Sequence, residues 1–168
     1  MRETVALRTA AGEAATKVIL ATFRVNGLLL AAGDLLAAEY GLTSARWQVL
    51  GAIALAQRSL TVPQIARRMG LTRQTVHTTV ERLLADGLVV LVPNSDHRRS
   101  QLVSLTDRGR AGYQAIDEKQ AAWVNELSAG LRRSDLDMTA RVLDQLCTRL
   151  EAGASSPQAR KEIGSHEE

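Results

Sequence analysis

The chain has 168 residues, of which 45% are hydrophobic and 23% charged, a balance that excludes a collagen-like chain and extensive disorder. Aromatic residues account for only 3%, so the core must be aliphatic, which favours packed helices over a β-sandwich. Because Cys147 is the single cysteine, the sequence also excludes an internal disulfide and a multi-cysteine zinc site.

The net charge of +3 is concentrated in the middle of the chain. Residues 61–112 contain eight arginines, no lysine and four acidic residues, a balance of +4. Arginine binds phosphates and guanine edges through paired hydrogen bonds, so the bias is typical of a nucleic-acid-binding surface. A solvated basic surface is the alternative interpretation, because the excess is modest.

The N-terminal region lacks the uninterrupted apolar stretch of a signal peptide. Its longest run without a charge is Val25 to Gly33, nine residues, whereas a membrane span needs about 20. Residues before position 12 show no period and predict a frayed arm. Between residues 13 and 40 apolar residues recur in steps of three and four, which predicts a helix. We therefore expect a cytoplasmic protein whose first helix is buried and is not a membrane anchor.

Threonines mark the starts of the next three predicted helices, because their hydroxyls accept hydrogen bonds from free backbone N–H groups. Thr61 and Gln64 form a capping box, with Pro63 in the first turn. The three helices are predicted, in chain order, from Thr43 to Gln57, from Thr61 to Gly70 and from Thr72 to Asp86.

After Asp86 the helical pattern of apolar residues ends, and the sequence predicts a β-hairpin. Leu88 to Val92 and Leu102 to Leu105 are short apolar runs, and turn residues lie between them. His97, Arg98 and Arg99 are predicted at the hairpin tip. Thr106 is then expected to cap a long helix, and Ser134 to open the last one.

The helix that begins at Thr72 carries the strongest functional pattern. If Val76, Val80 and Leu83 face the core, the opposite face presents polar side chains to solvent. Arginine and glutamine near a helix N-terminus match guanine and adenine edges in the major groove, and threonine hydroxyls can bond phosphates. An ordinary solvated helix face is the alternative. The candidate DNA-binding residues of this helix are Thr72, Arg73, Gln74, Thr75, His77 and Thr78.

Adjacent arginines at a hairpin tip can enter a minor groove, since narrow minor grooves attract Arg. The alternative is a charged turn that protects an edge strand from aggregation. The order of helices followed by a charged hairpin is that of a winged helix-turn-helix.

From Leu42 to Gly109 the chain resembles the MarR family of transcriptional regulators. The most specific segments are L-T-V-P-Q-I-A-R-R-M-G-L-T-R-Q-T-V, which leads into L-x-x-x-G-L-V, and the wing ending L-V-S-L-T-D-R-G. The resemblance implies a mainly α fold: a winged helix-turn-helix lobe with a two-stranded wing and long terminal dimerisation helices. The implied domain spans residues 13–152, with a lobe at about 43–106, dimerisation helices at about 13–40 and 107–151, and a disordered tail at 153–168.

The resemblance also implies an obligate homodimer that binds double-stranded DNA. It adds Gln64 and Arg68, on the helix before the recognition helix, to the DNA-binding set, and it implies a wing arginine in the minor groove. The family pattern places that arginine at Arg99 and an aspartate at His97. Here Asp96 lies one residue earlier and can orient Arg98, so either arginine can be the one that enters the groove.

Many members of the family release DNA when a small, often phenolic or lipophilic, molecule binds near the dimer interface. Phe23, Tyr40, Trp47 and Trp123 are candidates for such a pocket, although their spacing also fits core positions. The sequence predicts no cofactor, no metal site and no catalytic group: the three histidines are dispersed, and no nucleophile–base pair or phosphate loop is present.

The sequence therefore predicts a ligand-responsive transcriptional regulator, a repressor, that binds a pseudo-palindromic operator as a homodimer. The alternative is a small-molecule-binding or protein-interaction winged-helix module with little DNA binding. Affinity for duplex DNA that falls with salt separates the two.

Overall fold

A computed structural model of the chain describes residues 7–97 and 100–154. The described part is mainly α-helical with one two-stranded antiparallel sheet, as the sequence predicts. It divides into two compact units, with the division between Ala122 and Trp123. The elements are α1 (Ala10–Ala38), α2 (Ser44–Ala56), α3 (Val62–Met69), α4 (Arg73–Ala85), β1 (Val89–Val92), β2 (Leu102–Leu105), α5 (Asp107–Leu127) and α6 (Arg133–Ala154).

The threonine caps are confirmed. Thr43 and Thr72 accept hydrogen bonds from the backbone N–H three residues on, and so does Thr106 at the start of α5. At α3 the capping box is complete, because the Gln64 side chain also accepts from the Thr61 N–H at 2.8 Å. These bonds satisfy N–H groups that a helix start leaves free.

The core of the first unit is aliphatic and lies between α2, α3, α4 and the sheet. Its fully buried large side chains are Val49, Leu50, Leu60, Ile65, Val76, Leu83, Val103 and Ile116. Leu60 is joined to Val103 of β2 by two backbone hydrogen bonds, of 3.1 and 2.7 Å. This bridge ties the loop before α3 to the wing, so the base of the wing is fixed beside α3.

Gly109 explains why the wing motif ends in glycine. A Cβ at this position would overlap the carbonyl oxygen of Leu88. Thr106 reinforces the junction, since its N–H donates to that carbonyl at 3.2 Å and its hydroxyl donates to the Gly87 carbonyl at 2.8 Å. The two ends of the wing, after α4 and before α5, are therefore packed tightly against each other.

Three predictions of helix bounds are wrong. The predicted frayed arm is in part helical, because α1 begins at Ala10 and is capped by Thr9. The last helix begins at Arg133, before Ser134, where the Arg132 guanidinium holds the Asp135 carboxylate at 2.9 Å. That helix continues to Ala154, into the first residues of the predicted tail, whose remainder lies outside the described residues.

The prediction that the first helix is buried is also wrong for the single chain. Within α1 only Gly33 and Ala37 are buried, and Phe23 is 70% exposed. By length and composition α1 is apolar enough to cross a membrane, although a core helix of a soluble protein passes the same test. Its exposed apolar side chains form what we call the α1 stripe: Ile19, Leu20, Phe23, Val25, Leu28, Leu29, Leu30 and Leu35.

Candidate nucleic-acid interface

Helix α4 presents the polar face that the sequence predicts. Val76, Val80 and Leu83 are buried, together with Thr79, whose hydroxyl donates to the Thr75 carbonyl at 2.8 Å. The predicted DNA-binding residues of this segment are all exposed: Thr72, Arg73, Gln74, Thr75, His77 and Thr78. The recognition face is thus a coherent surface opposite the core contact.

The first turn of α4 is ordered by its own threonines. The hydroxyls of Thr72 and Thr75 lie 2.8 Å apart, and the Thr75 N–H donates to the Thr72 hydroxyl at 3.0 Å. One turn later, Nδ1 of His77 lies 3.5 Å from Oε1 of Glu81. Both of these side chains are largely exposed, so the pair contributes little to stability and remains open to a partner.

The wing loop is held by short-range polar contacts. The Asp96 N–H donates to the Asn94 side chain at 3.1 Å, and the Ser95 hydroxyl donates to the Asp96 carboxylate at 3.2 Å. The Ser100 N–H donates to the carbonyl of His97, which is exposed. Arg98 and Arg99 lie outside the described residues, so their roles and the choice between them remain predictions.

Two grooves connect the wing to the helices. One, of about 420 Å³, lies between α4 and the wing and is lined by His77, Glu81 and Gln101 among others. The other, of about 620 Å³, lies between α3 and the wing loop, and it brings Gln64 together with His97. Arg68 is exposed on α3 but does not line either groove.

The larger groove contains two arginines that sequence reasoning missed. Arg58 and Arg67 line it beside Gln64 and His97, with Asp96 as the acidic residue among them. The Leu60–Val103 bridge is what brings Arg58 next to a wing almost 40 positions away, and a long-range pairing of one residue leaves no periodic signal in the sequence. The cationic surface is therefore wider than α4 and the wing tip.

A third groove, of about 280 Å³, contains one of the four predicted pocket residues. Trp47 lines it with Tyr113, whose hydroxyl donates to the Asp117 carboxylate at 3.2 Å. Burial raises the pKa of Tyr113, and the charge and hydrogen bond of Asp117 raise it further. The phenol therefore stays protonated at neutral pH, and because its one O–H donates to Asp117, its oxygen is left to accept a hydrogen bond.

The other predicted pocket residues do not line this groove. Phe23 is exposed on α1, and the Tyr40 hydroxyl donates to the Ala115 carbonyl at 3.3 Å. Trp123 belongs to the second unit, where it is partly exposed. In the described ranges 7–97 and 100–154, no group of three His, Cys, Asp or Glu side chains is placed to hold a metal ion.

Comparison with known proteins identifies this architecture. The profile of the MarR family matches residues 40–100. An uncharacterized protein of Mycobacterium tuberculosis, Rv2011c, is 39% identical over 136 residues, which cover 81% of this chain and 94% of the relative. The chain belongs to the MarR family. The transcriptional activatory protein BadR of Rhodopseudomonas palustris is 27% identical over 158 residues, 90% of each chain.

Two solved structures have the same fold. The M. tuberculosis regulator MosR, crystallised in complex with DNA, is 27% identical, with a TM-score of 0.66 over 80% of this chain and 96% of that one. CouR of Rhodococcus jostii, solved with p-coumaroyl-CoA, is 22% identical, with a TM-score of 0.68 over 74% and 87%. Transcription regulation and DNA binding are thus the functions of this MarR family fold, which is not that of an enzyme.

Proposed function

We propose that the protein is a homodimeric, effector-responsive regulator that reads a pseudo-palindromic operator. The observation that carries this proposal is the exposed polar face of α4, together with the groove between α3 and the wing loop that Arg58 and Arg67 line. Arg73 and Gln74 lie in the first turn of α4, where base edges of a major groove are within reach of a helix N-terminus. Thr72, Thr75, His77 and Thr78 extend this face, while Gln64, Arg68, His97, Arg98 and Arg99 serve the flanking backbone and minor groove.

The α1 stripe supports the homodimer. Apolar patches of this extent are rare on monomers, and a two-fold interface covers the same surface on both copies. Helix α6 adds exposed Leu136, Met138 and Val142 in the second unit. We therefore assign the apolar length of α1 to a partner copy and not to lipid, as in a cytoplasmic protein. In this proposal the helices flanking residues 43–106 are the dimerisation elements.

A two-fold dimer should protect two half-sites about one helical turn, roughly 10 base pairs, apart. Hydroxyl-radical footprinting on the promoter regions nearest the gene tests this, and binding should weaken steeply with salt because phosphate contacts release counterions. Protection of one half-site alone would contradict the two-fold arrangement. Salt-independent binding, or none, would favour a small-molecule or protein-interaction module.

The same footprint tests whether the regulator is a repressor. A repressor follows if the protected site overlaps the polymerase-binding region, because the dimer then excludes polymerase. BadR is named as a transcriptional activatory protein, so activation is the other possible outcome. A protected site upstream of the polymerase-binding region would indicate an activator. Transcription in vitro from the footprinted promoter, with and without the protein, measures the sign directly.

The groove beside Trp47 supports the response to an effector. It combines an aromatic wall with the Tyr113 hydroxyl oxygen as an acceptor and the exposed Leu55, a combination suited to a small lipophilic or phenolic molecule. A low-molecular-weight extract of the producing cells should lower operator affinity of the parent and quench fluorescence of the Trp123→Phe variant, which retains Trp47. A Gly51→Leu variant should respond less, because a side chain there meets the Tyr113 ring. Equal responses of the parent and the Gly51→Leu variant would show that the effector does not bind in this groove.

A further inference from the structure

The C-terminus of α4 carries an aspartate where helix electrostatics disfavour one. Asp86 is the C-cap residue, and the helix dipole places partial negative charge at this end. A carboxylate there needs a cation to offset the repulsion. The structure provides one from another helix, because the Asp86 carboxylate pairs with the guanidinium of Arg46 on α2.

Arg46 makes this pair from a largely buried position. Its side chain is 16% exposed, and its Nη1 also donates to the Gly41 carbonyl at 3.1 Å. Its Nε is buried and has no hydrogen-bond partner among the described residues. Burial lowers the pKa of Arg46, and the nearby charge of Arg82 lowers it further. The cation is therefore held at a site that solvates it poorly.

Such a pair is a weak source of stability. The Asp86 carboxylate is 46% exposed, so water screens the attraction, while the Arg46 guanidinium loses much of its own hydration. Well-packed apolar side chains often replace such a poorly solvated charge and its partner without loss of stability. The presence of a partly unsatisfied guanidinium at this position therefore calls for an explanation other than stability. Fixing one geometry is the best-attested use of buried polar groups.

The contacts around Arg46 show which geometry is fixed. The guanidinium joins the turn after α1, through Gly41, to the end of the recognition helix, through Asp86. Asp34 near the end of α1 accepts a 2.6 Å hydrogen bond from the Ser44 N–H at the start of α2. Arg108 of α5 donates to the Asp86 carbonyl at 3.1 Å. The end of α4 is thereby tied to the elements that carry the α1 stripe and the groove beside Trp47.

We propose that Arg46 is a positioning residue for DNA reading: through Asp86 it sets the placement of α4 against the end of α1. This inference rests on the proposed function, because it assumes that α4 reads the operator. Arg46 itself does not touch DNA in this proposal. Its removal therefore disturbs the alignment of Arg73 and Gln74 with base edges and leaves the binding of phosphates unchanged.

The test separates positioning from folding with the Arg46→Met/Asp86→Asn double variant. The double variant keeps the net charge, and it removes the buried cation together with its partner, so we expect its Tm to match or exceed that of the parent. Its operator affinity, divided by its affinity for a shuffled duplex, should nevertheless fall about tenfold. The slope of affinity against salt should not change, because the protein neutralises the same phosphates as the parent.

Two further variants make the result decisive. Arg46→Lys keeps the cation and should retain most of the specificity ratio. Asp135→Asn breaks the exposed pair with Arg132 at the start of α6 and should leave the ratio at the parent value. A double variant with the parent's ratio would overturn the proposal, and so would a fall in the ratio that merely follows a fall in Tm across the set. If the parent itself prefers no operator over the shuffled duplex, the proposed function fails instead.

Discussion

Replacing Leu28 by glutamate should convert the dimer to a monomer at micromolar concentration and reduce operator affinity at least a hundredfold. Leu28 lies in the middle of the α1 stripe and is 62% exposed in the single chain. Burying a leucine side chain contributes about 1.5–3 kcal/mol, and a two-fold interface buries the position twice. The substituted dimer lacks both contributions and must also desolvate two carboxylates. Light scattering measures the mass, and gel shift on a two-half-site operator measures the affinity.

The matched control is Leu55→Glu, which makes the same change at a residue of α2 that is 71% exposed and outside the stripe. In the absence of effector, this variant should remain dimeric and bind the operator like the parent. A parent protein that is monomeric at micromolar concentration would contradict the proposed homodimer. So would a Leu28→Glu variant with unchanged mass, since the stripe would then face something other than a second copy.

Local chemistry explains why so much of the lobe is predictable from sequence. A threonine cap, a capping box and a terminating glycine each depend on residues within four positions of one another, as at Thr61 and Gln64. The buried positions of α4 follow in the same way from the helical period. Once the buried positions of α4 are known, the remaining positions, which include Arg73 and Gln74, must form its exposed face.

Other features depend on what lies across space, and the sequence does not encode their partners locally. Apolar periodicity indicates that another element packs on the α1 stripe. The period is the same whether that element belongs to this chain or to a second copy. Arg46 and Asp86 are 40 positions apart, so only the fold reveals their pair. Arg58 joins the wing groove for the same reason. The predicted start of α6 is wrong because the Arg132 carbonyl already accepts from the N–H groups of Asp135 and Leu136, so the helix begins before Ser134.

The arginine of the recognition helix should contribute sequence-specific binding, and the arginines of the wing should contribute binding to many sequences. Arg73 is exposed in the first turn of α4, where a paired contact to guanine is worth about 1–3 kcal/mol of discrimination. The Arg73→Ala variant should therefore bind the operator weakly and also lose its preference at one base pair in each half-site. Affinities for the operator and for single-base changes of it measure this loss.

The wing arginines are expected to read groove width and potential, so Arg99→Ala should weaken binding to many sequences and lower the salt slope by about one unit for each phosphate that is no longer neutralised. Arg98→Ala decides which of the two enters the groove, because Asp96 can orient Arg98. Arg133→Ala on α6 is the matched control: it removes one exposed cation and should leave both the base preference and the salt slope unchanged. If both wing variants bind like the parent at every salt concentration, the hairpin is a solvated turn, and DNA reading rests on α4 alone.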